Sequence, residues 1–321
     1  MDALLIMLKN VIVFVLLAVP GYILIKAGKL KENASGALST MLLYVGVPFL
    51  VMSSTMNNIT FDKKLLLTLL LATVISVGFT LIMFFATKPL SAHEKNEKTR
   101  GMLRFAAMFS NNGFLGIPLA MAVFGEGSEV LTVLIVMNIV TNIFLFTLGI
   151  YLISGDKKTI SAKKALLNPV LIAFVVGIIL NLIKAPSLLP EIKTYSAHLS
   201  GIVTPISMTV LGMKMGGVKL LSIFKSKKLY YASLLKLVVF PALITALLVL
   251  LARLGASVIN EGLIMGTFIA FSMPTAGLST TFSDSYDGDT ENAVVFTLGT
   301  TVLSVVTIPV LYYLVNIVLG I

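Results

Sequence analysis

Two short runs place helix-breaking residues and hydrogen-bonding side chains inside stretches that are otherwise apolar. They are Ser110-Asn111-Asn112-Gly113-Phe114-Leu115-Gly116-Ile117-Pro118 and Met273-Pro274-Thr275-Ala276-Gly277-Leu278-Ser279-Thr280-Thr281. Asn and Gly are poor helix formers, and Pro removes a backbone donor. An interruption at each run starts a new half-helix, whose first N–H groups lack partners and carry partial positive charge. Two such ends converging on one point favour a carboxylate or similar anion. Asn112 and Thr275 add side-chain hydrogen bonds, and Gly113 and Gly277 allow close backbone approach. The predicted binding set is therefore Asn111, Asn112, Gly113, Pro118, Pro274, Thr275, Ala276 and Gly277. The alternative is a pair of proline kinks repaired by neighbouring helices.

Around this set stand Ser110, Asn138, Asn142 and Thr300, which either line a cavity or bond between helices. Lys236 lies inside an apolar run, where it snorkels to the interface, attracts an anion or gates its path. Other chemistries find little support. There are no cysteines, so thiolate nucleophiles and thiolate metal sites are excluded, and His93 and His198 lie far apart. Asp284, Asp287, Asp289 and Glu291 lack calcium-loop spacing and read as a solvated loop. Phosphate-loop, zinc-protease and nucleophile-elbow patterns are missing, so neither an enzyme nor a cofactor is expected.

The elements that must position these residues follow from composition. Of 321 residues 57% are hydrophobic and 12% charged, too apolar for a water-soluble chain, so a lipid bilayer is the expected surroundings. Ten apolar runs are long enough to span: 4–26, 37–57, 64–87, 101–124, 129–153, 168–184, 196–216, 229–253, 259–284 and 292–319. The first starts almost at Met1 without a basic leader and reads as a retained helix. Seventeen Lys and Arg residues flank the connections after spans 1, 3, 5 and 7, against six on the other side. This bias puts the odd-numbered connections in the cytoplasm of a cell with an inner membrane, and both termini outside. The net charge of +10 thus reflects topology, and no nucleic-acid partner is implied.

The second half echoes the first. Phe124-Gly-Glu-Gly-Ser-Glu129 aligns with Asp287-Gly-Asp-Thr-Glu-Asn292 at an offset of 163 (287 − 124), and Phe61-Asp62-Lys63-Lys64-Leu65 aligns near Phe224-Lys-Ser-Lys-Lys-Leu229. Two units of five spans must have opposite membrane orientations. The fold class is accordingly all-α, with ten transmembrane helices in two inverted five-helix repeats and broken, crossing helices 4 and 9. Residues 1–153 form the first repeat, 154–167 a short cytoplasmic linker and 168–321 the second repeat.

At these residues the chain resembles the auxin efflux carrier family, which includes bacterial malate and malonate carriers. Asn112-Gly-Phe-Leu-Gly-Ile-Pro118-Leu119 is similar to the family's first crossover, with Asn111 where plant members have proline. Pro274-Thr275 is similar to the second crossover, which reads Pro-Gln in plant members. Asn168-Pro169, Leu211-Gly-Met213 and Thr307-Ile-Pro309 also fit, and the short 154–167 connection matches microbial members. The resemblance implies a fold related to bile-acid sodium symporters. It also implies a scaffold of spans 1, 2, 6 and 7, a mobile unit of spans 3–5 and 8–10, and elevator-type transport of malate-like or malonate-like carboxylates. A proton or sodium ion could couple to transport, or the membrane potential alone could drive it. Gly212 and Gly216 offer a close helix contact for a homodimer. The alternatives are a sodium-coupled symporter of larger amphipathic anions and a membrane receptor or enzyme.

Asn112→Ala and Thr275→Ala should each impair transport while leaving the protein in the membrane fraction. Wild-type uptake rates in both variants would remove the binding set.

Overall fold

The computed structural model describes residues 2–320 except 32, 59–62, 126, 161–166, 168, 218 and 257. Parts of several sequence expectations lie outside the described residues: residues 161–166 of the 154–167 linker, with Lys163 and Lys164, Asn168, and Phe61, Asp62 and Glu126 of the internal repeat. The described chain is predominantly helical. In order the main helices are α1 (Asp2–Lys26), α2 (Ala34–Met56), α3 (Lys63–Leu90), α4 (Glu97–Met108) and α5 (Asn112–Phe124). They continue with α6 (Glu129–Ser154), α7 (Pro169–Leu182), α8 (Glu191–Gly201) and α9 (Val203–Gly216). The last are α10 (Lys227–Arg253), α11 (Glu261–Ser272), α12 (Ser279–Ser285) and α13 (Thr290–Leu319).

Among the described residues, five helices are long and apolar enough to cross a membrane unbroken: α2, Leu66–Leu90 of α3, α6, α10 and α13. Shorter apolar helices include Leu16–Lys26, α5, α7 and α11. Their outer faces confirm the surroundings. Along α3, Leu66, Leu70, Val74, Ile82 and Phe85 form an exposed apolar stripe, with Phe85 68% exposed. Such a stripe has no place in water and belongs against lipid. This is a multi-pass membrane protein.

Three of the four π-helical turns among the described residues end two residues before a proline: Leu42–Gly46 before Pro48, Asn112–Gly116 before Pro118, and Leu234–Val239 before Pro241; the fourth, Leu145–Gly149, has no proline after it. Proline lacks the N–H of the ordinary helical bond, and its ring crowds the carbonyl four residues back. A widened turn relieves that crowding without ending the helix.

The helices pack in two groups. α1 lies along α9, and α2 packs on α7 and α8. In the other group α6 packs on α3 and α11, α10 on α11 and α13, and α4 on the end of α6. Small residues set the closest approaches, as expected where lipid removes the hydrophobic drive between helices. A Cβ on Gly212 would sit 1.8 Å from the Ala18 carbonyl oxygen, and one on Gly216 would sit 3.0 Å from that of Tyr22. The face expected to meet a second chain is therefore occupied by the chain's own α1.

Asp284, Asp287 and Glu291 are exposed, as a solvated loop requires, and Asp289 alone of the four is partly buried. Asp289 caps α13 through the Asn292 N–H and accepts the Thr99 hydroxyl at 2.5 Å. Burial alone would raise its pKa, but these hydrogen bonds outweigh it and hold the carboxyl below its ordinary value. Lys98 pairs with Asp287 at 2.7 Å, and Lys228 with Glu94 at 2.6 Å.

Gly212→Ala should lower the thermal melting point of the detergent-purified protein, since backbone overpacking costs about 1–3 kcal/mol. Gly78→Ala, where a Cβ meets nothing within 4 Å, should not. Equal melting curves would contradict the α1–α9 contact.

Candidate functional site

Helix α4 stops at Met108 because Phe109 turns extended, and helix resumes at Asn112. Helix α11 stops at Ser272 with Met273 extended, and helix resumes at Ser279. The two gaps lie against each other as a short antiparallel pair in which Ser110 faces Thr275. The Asn111 N–H donates to the Pro274 carbonyl at 2.8 Å, and the Ala276 N–H donates to the Phe109 carbonyl at 2.9 Å. Each gap thus supplies the partners that the other has lost. In hydrocarbon the alternative costs several kcal/mol per unpaired group.

Side chains complete the junction. The Thr275 hydroxyl donates to the Ala106 carbonyl at 3.1 Å, and the Thr275 N–H donates to Thr300 Oγ1 at 3.0 Å. Ser279 and Thr297 share a hydroxyl hydrogen bond at 2.5 Å. Lys236 does not snorkel. It is 1% exposed, and its Nζ donates to Ser110 Oγ and to the carbonyls of Met108 (3.5 Å) and Phe271 (3.4 Å). Met108 closes α4, and Phe271 lies in the last turn of α11, where carbonyls have no helical partner. One amine from α10 therefore holds both helix ends.

On one side of this junction lies a cavity of about 40 Å³. Its walls bring together Ser110, Asn111, Asn112, Gly113, Asn138, Asn142, Ala276 and Gly277 of the predicted residues, facing Leu43, Val47 and Val170. It has room for a few water-sized groups, since one needs roughly 10–15 Å³ by this measure. Both amide atoms of Asn112 are buried without a hydrogen-bond partner, as is Asn138 Nδ2. Asn142 is tied down, donating to Asn138 at 2.8 and 3.2 Å. A Cβ on Gly113 or Gly277 would make only ordinary contacts, at 3.8 Å to Asn138 and 3.7 Å to Asn111. Their missing side chains leave space in the cavity; packing does not demand them.

The other predicted residues are elsewhere. Pro274, Thr275, Thr300 and Lys236 stand behind the cavity as parts of the junction, and none lines it. Pro118 is buried in α5, past the gap. It leaves the Phe114 carbonyl without its helical donor, and the Ser207 hydroxyl of α9 takes that place at 3.0 Å. The two gaps also differ. The first spans 109–111 and leads into the long α5; the second spans 273–278 and leads into the short α12, so their half-helix dipoles are unequal.

Sequence reasoning missed Ser207 and Lys214. Lys214, one of the seventeen basic residues that the charge bias assigns to connections, donates its Nζ to Thr280 Oγ1 at 2.9 Å and to the Gly277 carbonyl at 3.2 Å. Its position inside the apolar run Leu211-Gly-Met-Lys-Met215 was the available signal.

Two comparisons bear on what this arrangement does. The family model described as "Membrane transport protein" matches residues 5–312. An "Uncharacterized transporter" of Methanothermobacter thermautotrophicus is 29% identical over 306 residues, covering 94% of each chain.

Lys236→Met should leave two helix-end carbonyls and Ser110 without a donor, at about 1–3 kcal/mol for each buried group left unsatisfied. The expected readout is a clearly lower melting temperature in detergent; an unchanged one would mean the junction holds without this amine.

Proposed function

This chain belongs to the membrane transport protein family, that of the auxin efflux carriers, and from that premise we propose that it carries small organic anions across the membrane. It is a transporter and not an enzyme. The proposed cargo is a short mono- or dicarboxylate of the malate or malonate kind. The observation that carries this reading is the paired gap with the unpartnered Asn112 amide beside it. A buried amide with both atoms unused is a costly feature unless something polar visits it. The start of α5 adds backbone N–H groups and partial positive charge at the same point.

In this proposal the protein has ten spans in two inverted repeats, and α4–α5 and α11–α12 are the crossing spans. The pairing supports it: 111 bonds to 274, an offset of 163 (274 − 111), the same as in the internal sequence repeat. Transport is of the elevator type. The group α3–α6 and α10–α13 moves against α1, α2 and α7–α9. Support comes from the two packing groups and from the cavity between them, with Asn112 and Gly277 on one wall and Val47 and Val170 on the other. Moving the whole site spares the anion an exposed passage through hydrocarbon. The membrane potential suffices as the driving force, since one charge through 100 mV is worth about 2.3 kcal/mol. The protein sits in the inner membrane with both termini outside.

The test is uptake into proteoliposomes of labelled malonate, malate, succinate and lactate, with an imposed potential, with and without a sodium gradient. Saturable, sodium-independent accumulation of unchanged acid that rises with an inside-positive potential is expected. No accumulation above protein-free vesicles would end the carrier reading; a strict sodium requirement would replace it with a coupled symporter.

A further inference from the structure

A polar cavity of about 380 Å³ opens between α2, α9, α12 and α13, lined by Asn33, Ser39, Thr280, Thr281, Asp284 and Thr290 among others. At its inner wall is Lys214. Behind Lys214 a space of about 30 Å³ shares Ser39, Lys214 and Thr297 with this vestibule, and Asn111, Phe114 and Gly277 with the cavity at the paired gaps. Lys214 therefore stands on the line between the open vestibule and Asn112.

Its bonding is that of a latch. Lys214 belongs to α9, in the group that contains α1, while its acceptors, Gly277 in the α11–α12 gap and Thr280 in α12, belong to the other group. Both acceptors are neutral. The ion pairs among the described residues lie elsewhere, and no carboxylate is within 4.0 Å of Nζ. Asp284, the acidic group lining the same vestibule, accepts a hydrogen bond from the Thr290 hydroxyl at 2.8 Å.

We propose that Lys214 is an anion-accepting residue at which one substrate carboxylate replaces Thr280 and Gly277. The Lys214 ammonium now donates to two neutral oxygens, and a carboxylate offers it a full opposite charge in place of a dipole, which strengthens the bond most where water is excluded. The exchange would bind the anion and release α9 from the gap in one event, coupling occupancy to motion between the two helix groups. The hydroxyl-rich wall selects short polar carboxylates over alkyl or aryl acids, whose apolar parts would bury Thr and Asn groups without partners. This inference rests on the carrier reading above.

The probe is malonate, titrated by calorimetry into purified protein, with uncharged malonamide as control and labelled uptake as a second readout. Lys214→Gln should raise the malonate Kd and the uptake KM by about tenfold or more, Lys214→Arg should restore most of the affinity, and malonamide should not bind. Thr280→Val removes a competitor for Nζ and should tighten malonate several-fold, which keeps the proposal testable if Lys214→Gln fails to fold. Malonate affinity within twofold of wild type in Lys214→Gln, or unchanged or weaker affinity in Thr280→Val, would overturn it. So would a Lys214→Gln protein that loses only maximal rate. If wild type binds and transports none of the four acids, the carrier reading fails first and takes this proposal with it.

Discussion

Backbone N–H and C=O groups cannot go unpaired away from water, and this protein breaks two helices in its buried interior. The solution is mutual. Phe109–Asn111 and Pro274–Ala276 pair as two antiparallel strands of minimal length, so that each gap repairs the other. Neither gap would be tolerable alone. Lys236, Thr275, Thr300 and Ser207 then take up the groups that two backbone bonds cannot reach. Thr275 belongs to the second gap itself and the other three come from helices that pack on the junction, so its geometry is over-determined.

That over-determination explains an asymmetry. On the Lys236 side the Ser110 hydroxyl and the Met108 and Phe271 carbonyls have a partner inside the protein. On the other side Asn112 has none and faces a small cavity at the meeting of the two helix groups. A fully satisfied network rigidifies, while an unsatisfied buried amide is a reservoir of binding energy for a polar visitor. The proposed carrier would use both: a rigid junction that survives movement, and beside it a polar point that the substrate completes. The path through Lys214 joins that point to the open vestibule.

Contacts within the two groups and contacts between them have different character. Inside each group, glycines such as Gly212 bring backbones close enough that one methyl would clash. Between the groups, α9 meets the gaps through two hydroxyl or amine side chains, Ser207 and Lys214. Side-chain hydrogen bonds can be exchanged one at a time, whereas interlocked backbones cannot slide. This difference is what an elevator-type motion would require.

Much was legible from residue types alone. Long apolar runs require helix in lipid, because only helix closes its own hydrogen bonds there, and Asn, Gly and Pro within two such runs require interruptions. The positions of both gaps follow from that local chemistry. What tertiary structure decided is which face each residue shows and to whom. Thr275 and Lys236 turned inward to hold the junction, Pro118 was passed on to Ser207, and Lys214 left its apparent loop to reach Gly277. Gly212 and Gly216 met α1 of the same chain. A sequence states how many backbone groups a break leaves unpaired. The partners for them lie 126 to 169 residues away for Lys236–Ser110 and Thr275–Ala106, and such separations are set by the packing of the whole chain.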